Sequence, residues 1–333
     1  MKLNIKQWIQ VLLSLGVAIW IFWFLYKDIS ISELSQVVSE ISWAWMGASI
    51  LIALWGFWLR AWRWKLLLDA GEQRQIRTLR AFWALMIGYL ANLIIPRAGE
   101  VARCGVLQKT EGLEMGKLIG TVILERTIDL LFMASTIFLA FFLERSLFIT
   151  LITDLVSLVD LFDKISSILP IFIGGLMVAA LFFYFLFKRY RDNSLIKKLR
   201  HFIRDLIKGL ISVSKVKNQV GFWASSIAIW FTYYFTMYAV ALAIPSTASL
   251  SPRSVLMVMV MGSIGMIAPV QGGIGTFHAL VAFILIRYGL SEDQGKIFAA
   301  IIHGSQVLTI IAIGLLAFGI FFKITANKEP KTS

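Results

Sequence analysis

The chain has 333 residues, of which 59% are hydrophobic and 15% are charged, and its mean hydropathy is +0.80. A soluble domain of average composition is about 45–50% apolar and about 25% charged, so these values exclude an ordinary soluble protein. The net charge of +13 would indicate nucleic acid in a soluble protein. In a membrane protein it is explained by basic cytoplasmic loops and by attraction to anionic lipid headgroups, so we expect no nucleic-acid partner.

The sequence also offers little for metal or nucleotide chemistry. A single cysteine, Cys104, excludes an internal disulfide, and three histidines fall short of a metal cluster. The chain has no HExxH, CxxC or GxxxxGK[ST] pattern. We therefore expect no metal site, no cofactor and no catalytic residues.

Apolar runs near the roughly 20 residues that cross a bilayer predict an all-α polytopic membrane protein, with about 7–9 membrane helices. The first run follows Lys2 and Lys6, but it is longer than a signal peptide and lacks a cleavage site, so we expect a retained first helix. In chain order the predicted spans are 8–26, 41–59, 128–143, 169–187, 220–244 and 297–322, with a shorter candidate at 274–288.

Loop charge predicts the orientation of these spans. Segments 60–80 and 188–217 are strongly basic and are expected in the cytoplasm. Segments 27–40 and 144–168 are acidic or mixed and are expected outside. Both termini then lie in the cytoplasm, and the inner membrane is the expected location.

Two further apolar runs are too short to cross. Residues 81–95 and 254–268 would each span about 22 Å as helix, against about 30 Å of hydrocarbon. Each run ends at a proline, Pro96 or Pro269. The orientation requires the first to enter and leave on the cytoplasmic side, and the second to enter and leave on the other side.

The sequence therefore predicts two re-entrant, broken-helix hairpins, 81–127 and 254–296. Opposite entry would make them an inverted repeat, which in transporters marks a midplane site. The sequence correspondence is weak and leaves duplication open. It pairs Gly88, Pro96 and Gly99 with Gly262, Pro269 and Gly272, and Gly116 with Gly295.

We expect one integral membrane domain over residues 1–322 and a disordered cytoplasmic tail over 323–333. Segments 145–168 and 190–217 are amphipathic. The second is basic, and it is either an interfacial helix on anionic headgroups or a plain connector with a solvated face.

Two short motifs, at 97–103 and 125–129, place six ionisable residues beside apolar runs, a costly arrangement at membrane depth. One interpretation is a headgroup site, because arginine forks bind phosphate oxygens and a helix starting at Pro96 would add its N-terminal amides. The phosphate would then lie on Arg97 and Arg103, balanced by Glu100 and Glu125. The other interpretation is internal pairing that holds the hairpin. The six are Arg97, Glu100, Arg103, Glu125, Arg126 and Asp129.

A glycine-rich loop in the second hairpin could contact the same headgroup, since exposed backbone is tolerated at depth only where it lines protein or a cavity. Its candidate residues are Pro269, Gln271, Gly272, Gly273, Gly275 and His278. Elsewhere, Arg60, Arg63 and Lys65 lie among tryptophans, and we interpret them as an interfacial belt only.

Three motifs carry a family resemblance. They are Pro-Arg-x-Gly-Glu-x-x-Arg at 96–103, Glu-Arg-x-x-Asp at 125–129 and Pro-x-x-Gly-Gly-x-Gly at 269–275. Over about residues 5–322 the chain resembles the flippase-like transmembrane region of lysylphosphatidylglycerol synthases. The resemblance implies that the six ionisable residues line a lipid cavity. Thr276 to His278 stand where the family often has an acidic residue.

The resemblance implies translocation of a lipid headgroup between leaflets. Bifunctional members add a soluble aminoacylating domain, and because this chain ends at Ser333 we do not expect synthase activity. We predict a flippase for a phospholipid or a polyprenyl-phosphate lipid in cell-envelope metabolism. The alternatives are a membrane transferase or hydrolase acting on a lipid phosphate, and a non-catalytic partner of an envelope enzyme docking through 190–217.

Overall fold

The computed structural model describes residues 31–71, 75–95, 97–155, 212–267 and 270–326, with three single positions before residue 30. Regular structure in these residues is entirely helical, which confirms the all-α prediction. The ten α-helices there are α1 (Ile31–Glu40), α2 (Trp43–Gly71), α3 (Thr78–Ile94), α4 (Ala98–Glu111), α5 (Met115–Leu143), α6 (Arg145–Leu155), α7 (Gln219–Ala243), α8 (Pro252–Gly265), α9 (Thr276–Arg287) and α10 (Glu292–Ala326).

Four helices, α2, α5, α7 and α10, are long and apolar enough to cross a membrane. They confirm four of the predicted spans and make the chain a multi-pass membrane protein. The predicted span 169–187 lies outside the described residues, as do all but two positions of the span 8–26 and most of the amphipathic segment 190–217.

Three of these helices are longer than predicted. α2 continues to Gly71 and α5 begins at Met115, because charged side chains that interrupt the apolar runs are paired inside the protein. α10 continues to Ala326. The predicted disordered tail is therefore wrong for residues 323–326, where Thr325 bonds back to the preceding turn as in any helix.

The first hairpin consists of α3 and α4, which run antiparallel. At the open end the Nε atom of Arg80 lies 2.9 Å from a carboxylate oxygen of Glu111. Near the closed end Gly88 and Gly99 bring the two backbones together, and a Cβ on Gly88 would lie 2.7 Å from the Gly99 carbonyl oxygen. Only glycine allows this approach.

The second hairpin consists of α8 and α9, joined by a glycine-rich turn. The Thr276 hydroxyl donates to the Gly265 carbonyl at 2.7 Å, which ties the start of α9 to the end of α8. A Cβ on Gly262 would lie 2.7 Å from the ring of Phe277. The short 3-10 turn Gln271–Gly273 lies between the helices, with Gly272 and Gly273 at positive φ.

The closed ends of the two hairpins meet. The Arg97 guanidinium donates to the Ile267 carbonyl at 3.4 Å, and Leu93 lies beside Gly272. α10 runs past both hairpins: Gly295 packs on Ala282 near the open end of the second, and Phe321 lies 6.0 Å from the Lys109 ammonium near the open end of the first.

The hairpins therefore approach each other from opposite ends of the molecule. This relative arrangement is the one that opposite entry requires, and each hairpin is followed by a long helix, α5 or α10. Their re-entrant placement in the membrane stays a prediction, and so does descent from a duplicated ancestor.

Candidate functional site

A network of buried ion pairs joins α2, α4 and α5 at the level where the hairpins meet. The Arg63 guanidinium lies 2.7 Å from Asp129 and 3.6 Å from Glu125. Arg103 lies 2.5 Å from the other oxygen of Glu125. The side chains of Arg63, Arg103 and Glu125 are at most 3% exposed, so these charges are compensated inside the protein rather than by water.

The local sequence explains why these side chains meet. α4 and α5 are antiparallel neighbours because the chain turns at Gly112, whose φ of 74° is accessible to glycine. This turn brings Arg103 of α4 beside Glu125 of α5. Trp64, one residue after Arg63, packs beneath them: the Arg103 guanidinium carbon lies 4.3 Å from its ring centroid, a stabilising cation–π contact.

The network continues toward a cavity through Arg60 and Arg126. Arg60 lies 3.1 Å from Asp129 and donates to the Tyr233 hydroxyl of α7. Arg126 pairs with Glu100 and is half exposed. The network therefore extends from the buried ion pairs of Arg63 and Arg103 to the more accessible Arg60 and Arg126.

A cavity of about 680 Å³ lies between the two hairpin tips, α5 and α7. This is within the range of about 300–1,000 Å³ typical of ligand sites. Three arginines line it, Arg60, Arg97 and Arg126, together with Glu100 and Asp129. The remaining lining comes from Asn92, Leu130, Met133, Trp230, Tyr233, Ser263, Met266, Ile267, Val270, Gly272 and Gly273.

Arg97 lies at the closed end of the first hairpin, directly before α4. Its φ of 60° is the one positive non-glycine φ among the described residues. Such backbone costs free energy and is concentrated at functional sites. The adjacent amides are already bonded, Ala98 to the Ile95 carbonyl and Gly99 to Asn92. The positive charge of this region therefore comes from arginine side chains rather than from free helix amides.

The second-hairpin loop contributes two of its predicted residues. Gly272 and Gly273 line the cavity. His278 does not: its Nδ1 accepts from the Gly275 amide at 3.2 Å and its ring stacks on His303 at 4.8 Å. It therefore caps α9, and Gly275 serves this cap at a φ of 90°. Pro269 and Pro96 lie outside the described residues.

Two apolar grooves adjoin the cavity. One extends toward the open end of the first hairpin, and the other extends toward the opposite end of the molecule. A groove of about 410 Å³ between α4 and α5 shares Glu100 and Arg126 with the cavity and extends to Ile119. A groove of about 370 Å³ between α5, α7 and α8 shares Trp230 and extends to Leu143 and Pro252. Polar and apolar binding surfaces are therefore adjacent along α5.

The structure corrects two interpretations. The prediction that this segment forms an interfacial belt is wrong for Arg63 and its neighbour Trp64, because both side chains are fully buried. Arg60 is not at an interface either, since it lines the cavity. Placing a phosphate on Arg103, balanced by Glu125, also fails, because both side chains are buried in their mutual pair. Arg60 and Arg126 join the predicted Arg97 at the cavity, and Arg103 does not line it.

Sequence reasoning could have found Arg60 and Arg63. Residues 57–70 contain neither glycine nor proline, so the helix could be extended beyond the apolar run. Arg60, Arg63 and Trp64 then fall on one helical face. In the described part of the chain no three His, Cys, Asp or Glu side chains are grouped as a metal site.

Comparison with known proteins agrees with this architecture. The model of the family described as lysylphosphatidylglycerol synthase TM region matches residues 11–314. No curated protein and no solved structure matches the chain. The match covers most of the chain, including both hairpins, the ion-pair network and the cavity. This multi-pass chain therefore belongs to the lysylphosphatidylglycerol synthase transmembrane-region family, whose members are integral membrane proteins of lipid metabolism.

Proposed function

We propose that the protein is a flippase that moves a phosphate-bearing lipid headgroup between the leaflets of the inner membrane, with both termini in the cytoplasm. The observation that carries the proposal is the cavity between the hairpin tips, which Arg60, Arg97 and Arg126 line. Guanidinium forks match phosphate oxygens in geometry and charge.

The apolar grooves support a lipid rather than a soluble anion. A headgroup in the cavity would place its hydrocarbon chains beside Ile119 and Val122 in one groove, or beside Leu139 and Leu143 in the other. The first groove lies toward the open end of the first hairpin, and the second lies toward the opposite end. The chains could thus stay in apolar surroundings on either side while the headgroup occupies the polar cavity.

The same geometry favours transport over hydrolysis or transfer. A general base must reach the proton that it removes. Glu125 is buried against Arg63 and Arg103, and Asp129 is held by Arg60 and Arg63. Both carboxylates therefore serve to hold arginines, and we propose a non-enzymatic role.

The test is leaflet exchange of fluorescent phosphatidic acid and phosphatidylglycerol in liposomes that contain the purified protein. Wild type is expected to accelerate exchange over protein-free liposomes. Arg97→Gln/Arg126→Gln should lower the rate by about tenfold or more, because each charge-assisted hydrogen bond is worth at least about 1.5 kcal/mol.

Arg80→Gln is the matched control, since Arg80 pairs with Glu111 at the open end of the first hairpin, away from the cavity. It should exchange lipid at the wild-type rate. Equal rates in wild-type and protein-free liposomes would refute the flippase. Release of free phosphate from phosphatidic acid in wild-type liposomes, faster than in protein-free liposomes, would establish a hydrolase instead.

A further inference from the structure

Among the described residues, the charges around the cavity do not cancel. Five arginines there meet three carboxylates in the network and the cavity wall, which leaves two positive charges. The arginines are Arg60, Arg63, Arg97, Arg103 and Arg126, and the carboxylates are Glu100, Glu125 and Asp129.

The first surplus charge is in the buried network. Among the described residues, Arg60, Arg63 and Arg103 share two carboxylates, Glu125 and Asp129. In addition, five guanidinium nitrogens, Nε of all three and Nη1 of Arg63 and Arg103, have no hydrogen-bond acceptor in the part of the chain that the structure describes, against one oxygen each of Glu125 and Asp129 that accepts no hydrogen bond there. Buried donors without acceptors are costly, so this surplus favours an anion close by.

The second surplus charge is Arg97. Within the described residues no carboxylate lies within salt-bridge distance of it, and its contact across the hairpin tips is with the Ile267 carbonyl at 3.4 Å. Arg126, by contrast, is neutralised by Glu100. The strained backbone at Arg97 holds this cation at the cavity wall.

Two uncompensated cations at membrane depth are expensive unless a ligand neutralises them. A phosphate diester carries one negative charge. A phosphate monoester carries about 1.5–2 negative charges at neutral pH, with a second pKa near 6, and offers three acceptor oxygens.

Resting on the proposed function, we propose that the lipid has a dianionic phosphate headgroup, such as a terminal phosphate monoester. A phosphate diester would leave one cation uncompensated, and an aminoacylated headgroup with a net positive charge would add to the surplus. The cavity therefore selects for charge on the phosphate and against a basic substituent.

The experiment compares two lipids with identical acyl chains, phosphatidic acid and phosphatidylglycerol, bound to the full-length protein in detergent and measured by native mass spectrometry. At pH 7.5 the wild type should prefer phosphatidic acid by about tenfold, roughly the effect of one charge-assisted contact. At pH 5.5 the monoester loses most of its second charge, so the preference should disappear.

Arg97→Gln should reduce the pH 7.5 preference to near unity, because it removes one surplus charge without breaking an ion pair among the described residues. Arg80→Gln should keep the wild-type preference. A preference for phosphatidylglycerol or for neither lipid at pH 7.5 would overturn the dianion. The flippase proposal fails separately, when no lipid crosses faster than in protein-free liposomes.

A third lipid arm separates the sources of a dianionic headgroup. A polyprenyl diphosphate linked to a sugar carries its charges on two phosphates and lacks an ionisation near pH 6. If it binds with the same affinity at pH 7.5 and 5.5 and outcompetes phosphatidic acid, the preference for a headgroup with two negative charges is confirmed. The headgroup is then a diphosphate rather than a phosphate monoester. If phosphatidic acid outcompetes the diphosphate lipid, the proposed phosphate-monoester headgroup is supported.

Discussion

Glu125 lies between two arginines, Arg63 and Arg103, and is 1% exposed. Glu125 stabilises the fold because it neutralises charge on both buried arginines, more than through its attraction to either one alone. A buried ion pair contributes little net stability against an apolar replacement, but removing one partner leaves an uncompensated charge. At the residue scale, the ionisable side chains therefore divide into supports, such as Glu125, and accessible cations, such as Arg97.

Glu125→Gln is expected to destabilise the protein by about 3–5 kcal/mol, because Arg60 and the buried Arg63 and Arg103 would then share one carboxylate. The measurement is loss of helical circular dichroism with increasing denaturant in detergent. Adding Arg63→Met should recover part of the loss, since it restores the wild-type charge difference.

Glu111→Gln is the control for this prediction. Glu111 pairs with Arg80, which is 29% exposed, so its loss should cost no more than about 1 kcal/mol. Equal losses for Glu125→Gln and Glu111→Gln would show that the buried network is not a stabilising support.

At the scale of elements, glycine decides how closely the helices of each hairpin pack. In the first hairpin Gly88 faces Gly99, and in the second Gly262 faces the ring of Phe277. Small residues at such interfaces let backbones approach within a membrane, where the hydrophobic effect does not hold helices together. This close packing places Arg97 and Glu100 at the cavity.

Gly99→Ala should separate α3 from α4, because the added Cβ would overlap the Gly88 carbonyl and the Asn92 side chain. We expect a lower melting temperature in detergent and slower lipid exchange. Gly105→Ala, in the same helix, meets nothing within 4 Å and should be neutral or stabilising by up to about 1 kcal/mol. The packing argument is wrong if both variants melt at the same temperature.

At the scale of the whole molecule, the two hairpins and their following helices form opposed halves around one cavity. The open end of the first hairpin lies at the α2–α3 and α4–α5 connections, and that of the second lies at the α7–α8 and α9–α10 connections. Opposed broken helices that meet at a central site are the arrangement of transporters with inverted repeats.

Cysteine labelling in a Cys104→Ser background tests this arrangement in the membrane. Cysteines at the exposed positions Arg77 and Glu114 should react with an impermeant maleimide from the cytoplasmic side, and a cysteine at Asp293 from the opposite side. Labelling of positions 77 and 114 from different sides would refute the re-entrant first hairpin. Labelling of position 293 with the other two would refute opposite entry.

The class, the family, four of the long spans and the existence of two broken hairpins could be predicted from the sequence, because they depend on run length, proline, glycine and short motifs. The sequence also indicated Arg97, Glu100, Arg126 and Asp129, since charge in an apolar run is conspicuous. Which charges are accessible depends on how the helices pack. Arg60 and Arg63 of α2 meet carboxylates more than 60 positions away on α5, and local sequence does not encode that distance. Burial of Arg103 and exposure of Arg97 follow from this packing, because an ion pair can be removed from solvent only when its partners arrive from another helix.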